Sequence, residues 1–238
     1  AVVLRGRDKL AGRIAGLAAA LAAGKTGAKV LLVEQTADWG GRALVDGVEI
    51  DVKPAAEWVA KTLKALNSME NVSIRTRTMG AGVYDHGYAL AYERLSDHAP
   101  ETTGPRHRLW RIRAARIVTA TGAIERPLSF AGNDIPGVML AGAVRDYALN
   151  YGVSVGDRTV VVTNNDDAYL TAIALARAGL NVPAIIDARS KATGELPEKA
   201  RKLGIRVETG KAIGKVIGSK RVQAVTLAAQ AGEGATLE

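Results

Sequence analysis

The chain has 238 residues, of which 47% are hydrophobic and 24% are charged, and it contains no cysteine. This composition excludes a disordered chain, and the missing cysteines exclude disulfides, thiolate metal sites and a cysteine nucleophile. Lysine and arginine outnumber aspartate and glutamate by 32 to 24, a net charge of +8. An anionic cofactor or an acidic partner protein suits this charge. Because no recognition motif accompanies it, we expect no nucleic-acid partner.

Several function classes lack their sequence signals. No apolar run reaches about 18 residues, so we expect no transmembrane helix and no membrane partner. The chain does not open with an apolar segment and a small-residue cleavage site, and we therefore expect a cytoplasmic location. The three histidines (His86, His98 and His107) lack metal-ligand spacing, so no metal site is expected. No residue is identifiable as a catalytic nucleophile, acid or base.

The start of the chain predicts a βαβ unit. A short apolar strand, residues 1–4, precedes a polar, glycine-containing segment at 5–13. A helix of small residues at 16–23 and a buried strand at 29–34 follow. Strand, turn, helix and strand within about 30 residues form such a unit, and its strands are expected to be parallel.

The middle of the chain has a different pattern of apolar and polar residues. An amphipathic helix is predicted at 54–66 and a strand at 72–78. Residues 82–92 and 109–118 then alternate between apolar and polar side chains around a polar loop. Such alternation is typical of an antiparallel meander, here inserted into a parallel fold.

An extended linker at 124–138 and a helix at 140–151 lead to a second βαβ unit. Its strands and helices are predicted at residues 158–163, 170–178, 182–187, 195–203 and 205–209, followed by a hairpin of 212–217 and 221–227 around Gly218. The sequence therefore predicts two domains, a first dinucleotide-type domain over 1–135 and a second, incomplete Rossmann-like domain over 136–238.

The turn of the first βαβ unit is the candidate ligand site. Dinucleotide-binding turns carry G-x-G-x-x-G, and an acidic residue about 20 positions later binds a ribose hydroxyl. Gly16 fits the third glycine and Glu34 fits the acid. Counting back places Arg13 and Ala11 at the other glycine positions, with the strand at 5–10.

A second alignment places the strand at 1–4 and makes Gly6 the first glycine, with extra residues in the turn. In the first alignment Arg13 either enters the pyrophosphate space or pairs with the phosphates. The same pattern also fits a helix-packing glycine and a strand-end glutamate without any ligand.

Two further segments favour a ligand at this end of the fold. Gly40-Gly41-Arg42 follows Glu34 after a short loop, and paired glycines let the backbone approach a ligand. The TATG turn at 119–122 offers backbone amides to a phosphate or a sugar. Trp39, beside Gly40, either stacks on a ligand ring or covers the end of the sheet.

The second unit has no glycine motif in its turn, which reads Thr163-Asn-Asn-Asp-Asp167. Asp166 and Asp167 are predicted to cap the following helix and to interact favourably with its dipole. Carboxylates at this position also repel a phosphate, so we predict no nicotinamide phosphate site in the second unit. Asn164 and Asn165 are interpreted as turn and capping residues.

Longer runs in the chain carry a family resemblance. The run AGLAAALAAGKTGAKVLLVEQTADWGGRAL resembles the FAD/NAD-binding half of the two-dinucleotide-binding flavoproteins. ATGAIERPLSFAGNDIPGVMLAGAVRDY, followed by TVVVTNNDDAYLTAIALARAG, resembles the alpha subunit of heterotetrameric sarcosine oxidase. Related subunits occur in opine oxidases and amino-acid dehydrogenase complexes. The resemblance covers nearly the whole chain except residues 5–13.

The resemblance implies an α/β, Rossmann-like FAD/NAD(P)-binding fold with a parallel sheet, an antiparallel meander and a second, partial βαβ domain. It implies a dinucleotide, NAD first and FAD as the alternative. The chain would position this cofactor within an oxidoreductase complex, a hetero-oligomer in which a separate flavin-containing subunit oxidises sarcosine or another secondary amine. The alternative is a non-catalytic interaction scaffold of the same fold with a degenerate nucleotide site.

The candidate cofactor-binding positions are Gly12, Arg13, Gly16, Glu34, Gln35, Gly40, Gly41, Arg42, Thr78, Met79, Thr121 and Gly122. By analogy with the wider superfamily, Thr78 and Met79 would lie beside the adenine through their backbone atoms. Glu34 suits the adenosine ribose of either NAD or FAD and disfavours a 2′-phosphate by repulsion.

Overall fold

The computed structural model describes residues 2–4, 10–99, 101–123, 125–231 and 235–237, and for residues 2–4, 10–13, 231 and 235–237 it describes the backbone alone. The chain divides into two compact units, residues 1–124 (unit 1) and 125–238 (unit 2). Each unit combines a parallel sheet, helices and an antiparallel sheet, which confirms the predicted α/β class.

Unit 1 is built on a four-stranded parallel sheet. Its strands are β1 (Val2–Leu4), β2 (Val30–Val33), β5 (Val72–Arg75) and β9 (Ile117–Thr119), in the spatial order β5-β2-β1-β9. The β2 sequence is apolar on both faces, as expected of a strand buried between two layers.

Helices cover one face of this sheet. The helices there are α1 (Leu10–Lys25) and α3 (Ala55–Asn67). Helix α2 (Arg42–Val45) contacts both of them, and the hairpin of β3 (Glu49–Ile50) and β4 (Lys53–Pro54) contacts α3. Leu17 and Leu66, both fully buried, pack with Leu32 in the core between helices and sheet. Trp39 and Trp58 are half-buried against the same core.

A three-stranded antiparallel meander packs on the other face. It consists of β6 (Thr78–Tyr84), β7 (Tyr88–Arg94) and β8 (His107–Arg113). Ala89, Ala91 and Ile112 on its inner side form a second core with Val33, against which Trp110 packs. The predicted meander is therefore present, with its small inner residues allowing close approach to the parallel sheet.

The strand predicted at 1–4 is confirmed as β1, which pairs with both β2 and β9. The alternative alignment, with the strand at 5–10, falls largely outside the described residues, and Leu10 already belongs to α1. Two predictions about unit 1 are wrong in detail. The predicted strand at 72–78 is two strands, since Arg77 adopts a positive φ of 51° that breaks the extended chain. The strand predicted at 109–118 also divides, with β8 in the meander and β9 in the parallel sheet.

Unit 2 repeats the strand–helix–strand order. Its parallel strands β10 (Val161–Thr163), β11 (Ala184–Asp187) and β12 (Arg206–Thr209) lie side by side in chain order. The helices are α4 (Ala141–Tyr151), α5 (Asp167–Arg177) and α6 (Glu195–Lys202). An antiparallel sheet of β13 (Lys211–Gly218), β14 (Val222–Ala231) and β15 (Ala235–Leu237) follows. The hairpin around Gly218 was predicted, whereas β15 was not.

The core of unit 2 contains Tyr169, Leu175 and Ile185, each with at most 1% of its surface exposed. Within the described part of the chain, no helix combines the length and the apolar character that crossing a bilayer requires.

Candidate functional site

The candidate site of unit 1 lies at the carboxyl edge of its parallel sheet. Ligands of open α/β sheets bind outside the carboxyl ends of the strands. The loop after β2, the start of β6 after β5 and the turn after β9 all begin at this edge. Helix α1 follows β1, and Gly12 and Arg13 lie in its first turn; the Arg13 side chain is outside the described residues.

Glu34 occupies the position immediately after β2 and is 4% exposed. Its backbone N–H donates to Arg75 O (2.8 Å), and its own carbonyl accepts from Thr78 N–H (2.7 Å). The N–H and the hydroxyl of Thr36 donate to Glu34 Oε1 at 3.0 and 2.8 Å. The backbone and the carboxylate of Glu34 are therefore both fixed by neighbouring groups.

Hydrogen bonds tie the loop after β2 to the meander. Arg94 Nη2 donates to Gln35 O at 3.0 Å, and Arg77 N–H donates to Thr36 O at 2.9 Å. The N–H of Arg94 donates in turn to Arg77 O at 2.9 Å. Sequence reasoning missed Arg94, because 59 residues separate it from Gln35 and nothing distinguishes it from the other arginines nearby.

The Gly40–Gly41 turn needs its glycines. Gly40 has a φ of 98° and Gly41 a φ of 53°. A Cβ on Gly40 would lie 2.8 Å from Leu44 Cγ, so a larger residue would displace helix α2 or the Leu44 side chain. The Arg42 side chain is 4% exposed, and its Nη2 lies 3.2 Å from Oδ1 of Asp46, the residue that follows α2. Arg42 is thus held inside the protein by an ion pair.

The remaining predicted positions differ in exposure. Thr78 is fully buried and its hydroxyl donates to Thr76 O at 2.8 Å, whereas Met79 is 41% exposed. Gly16 is buried in α1, and Thr121 and Gly122 are exposed after β9. One backbone hydrogen bond thus joins Glu34 and Thr78, and Gln35, Gly40 and Gly41 lie in the loop that begins with Glu34. The remaining predicted positions lie on α1, α2, β6 and the turn after β9.

In unit 2 the predicted capping differs from the observed capping. Asn165 Oδ1, and no oxygen of Asp166, accepts the hydrogen bond from Asp167 N–H at the start of α5, at 3.0 Å. Asp166 instead pairs with Arg189, whose Nη2 lies 2.8 Å from Asp166 Oδ1. The interpretation of Asn165 as a capping residue is confirmed. Asp166 occupies the N-cap position of α5 as predicted, but its carboxylate makes no capping hydrogen bond and pairs with Arg189.

The same arginine contacts Asp187, the last residue of β11, in a buried polar cluster with Tyr169. Burial alone would raise the pKa of Asp187, but hydrogen bonds from Arg189 and Tyr169 outweigh it and hold that pKa below its ordinary value. Burial and the hydrogen bond to Asp187 raise the pKa of Tyr169. The cluster therefore consists of an ionised carboxylate, a neutral phenol and a guanidinium at neutral pH.

No family model matches the chain. Among solved structures, thioredoxin reductase of T. acidophilum superposes with a TM-score of 0.64 at 16% identity, covering 99% of this chain and 72% of that one. L-proline dehydrogenase of P. horikoshii gives 0.58 at 24% identity, with coverages of 94% and 38%. The flavoprotein disulfide reductase RclA of Escherichia coli gives 0.59 at 18% identity, with coverages of 99% and 54%. The fold is thus that of the FAD/NAD(P)-binding, Rossmann-type oxidoreductases.

Curated relatives identify the family to which the chain belongs within this fold. The alpha subunits of sarcosine oxidase from Rhizobium meliloti and from Corynebacterium sp. strain P-1 are each 44% identical, over 87% and 84% of this chain. An opine oxidase subunit of Rhizobium meliloti is 30% identical over 73% of this chain and 36% of that protein. The chain spans 21% of each of the two sarcosine oxidase subunits. Over that segment it is a homologue of the sarcosine oxidase alpha subunit, as the sequence resemblance predicted.

Proposed function

We propose that unit 1 binds an adenine dinucleotide at the carboxyl edge of its parallel sheet. Glu34 is the observation that carries this proposal. An acidic residue at the end of the second strand accepts the ribose hydroxyls of a bound dinucleotide, and Thr36 holds the Glu34 carboxylate in one orientation before any ligand arrives. The negative charge repels a 2′-phosphate, so the site favours FAD or NAD over NADP.

The other residues at this edge fit the rest of such a ligand. Gly41 is half-buried beside the buried Gly40 and carries no side chain, which suits close approach of a ligand to its backbone. The first turn of α1 has N–H groups without intrahelical partners, which suits a pyrophosphate. Thr78 and Met79 would adjoin the adenine. When bound, the dinucleotide supplies the redox-active ring, and these residues bind and orient it.

FAD is the first ligand to test. The sequence expectation placed NAD before FAD, but none of the comparisons supports that order. A solved structure with this fold is a flavoprotein, which supports FAD. The adenosine end of the site has the same requirements for both ligands, so titration with each of them distinguishes the two.

We further propose that the chain is the cofactor-positioning segment of a flavin-dependent amine oxidoreductase complex. Its curated relatives are named as subunits of sarcosine and opine oxidases, which supports a hetero-oligomer containing a separate catalytic subunit. Within such a complex the role of unit 1 is to bind and position the dinucleotide beside that subunit.

Calorimetric titration of the chain with FAD and with NAD tests the dinucleotide site. Glu34→Gln removes the charge that accepts the ribose hydroxyls, and charged hydrogen bonds contribute about 2 kcal/mol. We expect this variant to weaken dinucleotide binding about 30-fold. It should also reduce the preference for NAD over NADP.

The matched control is Glu49→Gln, which makes the same chemical change at an exposed position in β3. This control should bind as the unmodified chain does. Equal affinity of the Glu34→Gln variant would refute the site. If the unmodified chain binds neither ligand, the non-catalytic scaffold becomes the better account.

A further inference from the structure

At the carboxyl ends of β10 and β11 and the start of α5, unit 2 has the position where nucleotide folds form their binding crevice (the unit 2 crevice). Strands β10 and β11 are parallel neighbours, and their last residues, Thr163 and Asp187, are paired in register. Helix α5 begins four residues after Thr163. In a nucleotide fold this edge takes the ribose at the end of the second strand and the phosphates at the helix N-terminus.

The chain itself saturates Asp187 at this edge. The Asp187 side chain is fully buried and accepts from the Arg189 backbone N–H at 3.0 Å. The Arg189 Nε and Nη2 groups donate to its two oxygens at 3.0 and 2.7 Å. Tyr169 Oη donates to Oδ2 at 2.8 Å. The carboxylate that would accept ribose hydroxyls in a nucleotide fold is thus filled by four protein donors.

Arg189 also reaches the helix side of the crevice. Its Nη2 group lies 2.8 Å from Asp166 Oδ1, at the residue preceding α5. One guanidinium therefore bridges the end of β11 and the start of α5. These are the two points that a bound nucleotide would connect, through its ribose and its phosphates.

The start of α5 is unsuited to a phosphate in other ways. Asp166 and Asp167 place two carboxylates there, which already engage Arg189 at 2.8 Å and Arg145 at 3.5 Å, and the Asp167 N–H is already bonded to Asn165 Oδ1. The turn sequence TNNDDA contains no glycine, so its side chains stand where a pyrophosphate would need close backbone approach.

We propose that Arg189 is an internal occupant of the unit 2 crevice, which therefore binds no dinucleotide. The arginine joins β11 to α5 with the contacts that a nucleotide would otherwise make. Unit 2 is thus a nucleotide fold closed by its own side chain, whatever ligand unit 1 binds.

Titration of the whole chain with FAD and NAD, with and without Glu34→Gln, tests this proposal by stoichiometry. Binding of one equivalent of dinucleotide, with an affinity that Glu34→Gln weakens at least tenfold, supports both the proposal and the unit 1 site. If no dinucleotide binds, the closed unit 2 crevice is supported and the unit 1 site is refuted. Binding of a second equivalent refutes the closed crevice and leaves the unit 1 site standing.

Variants in unit 2 provide an independent readout. Asp166→Asn removes one carboxylate at a half-exposed position and should leave dinucleotide affinity unchanged within twofold. Arg189→Met should lower the melting temperature by several degrees, whereas Arg206→Met should change it by about 1 °C or less. Arg206 is a matched control, since it pairs with Glu208 at the same two-residue spacing but is 72% exposed. Binding that persists in Glu34→Gln and is lost in Arg189→Met would refute the proposal.

Discussion

At the residue scale, Val52 adopts a backbone conformation that its β-branched side chain disfavours. Asp51 and Val52 form the two-residue turn between β3 and β4, with φ angles of 52° and 62°. Two positive φ angles define a type I′ turn, which prefers asparagine or aspartate followed by glycine. Val52 is β-branched and 91% exposed, so it has the strain of this conformation without burial to offset it.

Val52→Gly is therefore expected to stabilise unit 1. A left-handed conformation costs an L-residue about 1–2 kcal/mol, and the extra freedom of glycine in the unfolded chain offsets about 0.5–1 kcal/mol of the gain. We expect the free energy of unfolding to rise by up to about 1 kcal/mol, measured by urea denaturation followed by circular dichroism.

The opposite substitution nearby provides the control. Gly47 has a φ of 62°, and a Cβ placed on it would meet no described atom within 4 Å, so Gly47→Ala introduces backbone strain without a clash. It should destabilise the protein by about 1 kcal/mol. A Val52→Gly variant that is less stable than the parent would show that the strain at Val52 is smaller than the freedom that glycine adds to the unfolded chain.

At the element scale, the tip of the β6–β7 hairpin touches the connection between β8 and β9. Ala114 N–H donates to Gly87 O at 2.9 Å, and Gly87 has a φ of 66°. A Cβ on Gly87 would lie 2.0 Å from Ala114 O, a backbone atom that cannot rotate away. This glycine therefore sets how closely the meander approaches the segment that returns to the parallel sheet.

Gly87→Ala should cost at least about 2 kcal/mol, since backbone strain and a forced backbone shift add together. Gly27→Ala is its control, because Gly27 also has a positive φ, 80°, but open space around it among the described residues. The control should lose only about 1 kcal/mol in the same urea experiment. Equal losses for the two variants would contradict the role of the Ala114 contact.

Regular elements were predictable where their pattern is local. Residues 54–66 show a strong helical period, and α3 covers Ala55–Asn67. The break at Arg77 has no local signal, because its backbone is held by hydrogen bonds with Thr36, in the loop after β2, and with Arg94, in β7. Because contacts distant in the sequence divide β5 from β6, the local pattern alone predicted one continuous strand.

In the candidate site, too, the local pairs were predictable from the sequence and the long-range contacts were not. Glu34 follows from its place after a buried strand, and its partner Thr36 is two residues away. The Arg189–Asp187 pair is equally local, but Tyr169 and Asp166 join it across 18 and 23 residues. The acidic turn before α5 did indicate that a phosphate is disfavoured there. It did not indicate that an arginine fills the crevice.

At the scale of the whole molecule, the Asp187 cluster gives stability a dependence on pH. A carboxylate whose pKa is lowered in the folded state stabilises that state above its unfolded value, here 3.8. This contribution is lost as pH falls through the lower, folded pKa. Tyr169 acts at the other limit, because its raised pKa stabilises the folded state below its unfolded value of 10.0, and that contribution is lost as pH rises from there through the higher, folded pKa.

Asp187→Asn should lower the free energy of unfolding at neutral pH by about 3 kcal/mol, since it breaks a buried ion pair. The variant should also lose less stability than the parent between pH 4 and pH 2, because it has no carboxylate to protonate there. Urea unfolding at several pH values measures both effects. Parallel pH curves for parent and variant would show that Asp187 does not contribute to acid sensitivity.

The distribution of aromatic residues makes the two units optically distinct. The three tryptophans, Trp39, Trp58 and Trp110, all pack against the cores of unit 1, whereas unit 2 contains tyrosine and a single phenylalanine. Emission excited at the red edge of the absorption band therefore reports on unit 1, while ellipticity reports on both units. A substitution that perturbs only the Arg189 cluster should change the thermal transition measured by ellipticity and leave the tryptophan emission maximum unchanged. The two signals, recorded on one sample, therefore show which unit unfolds first.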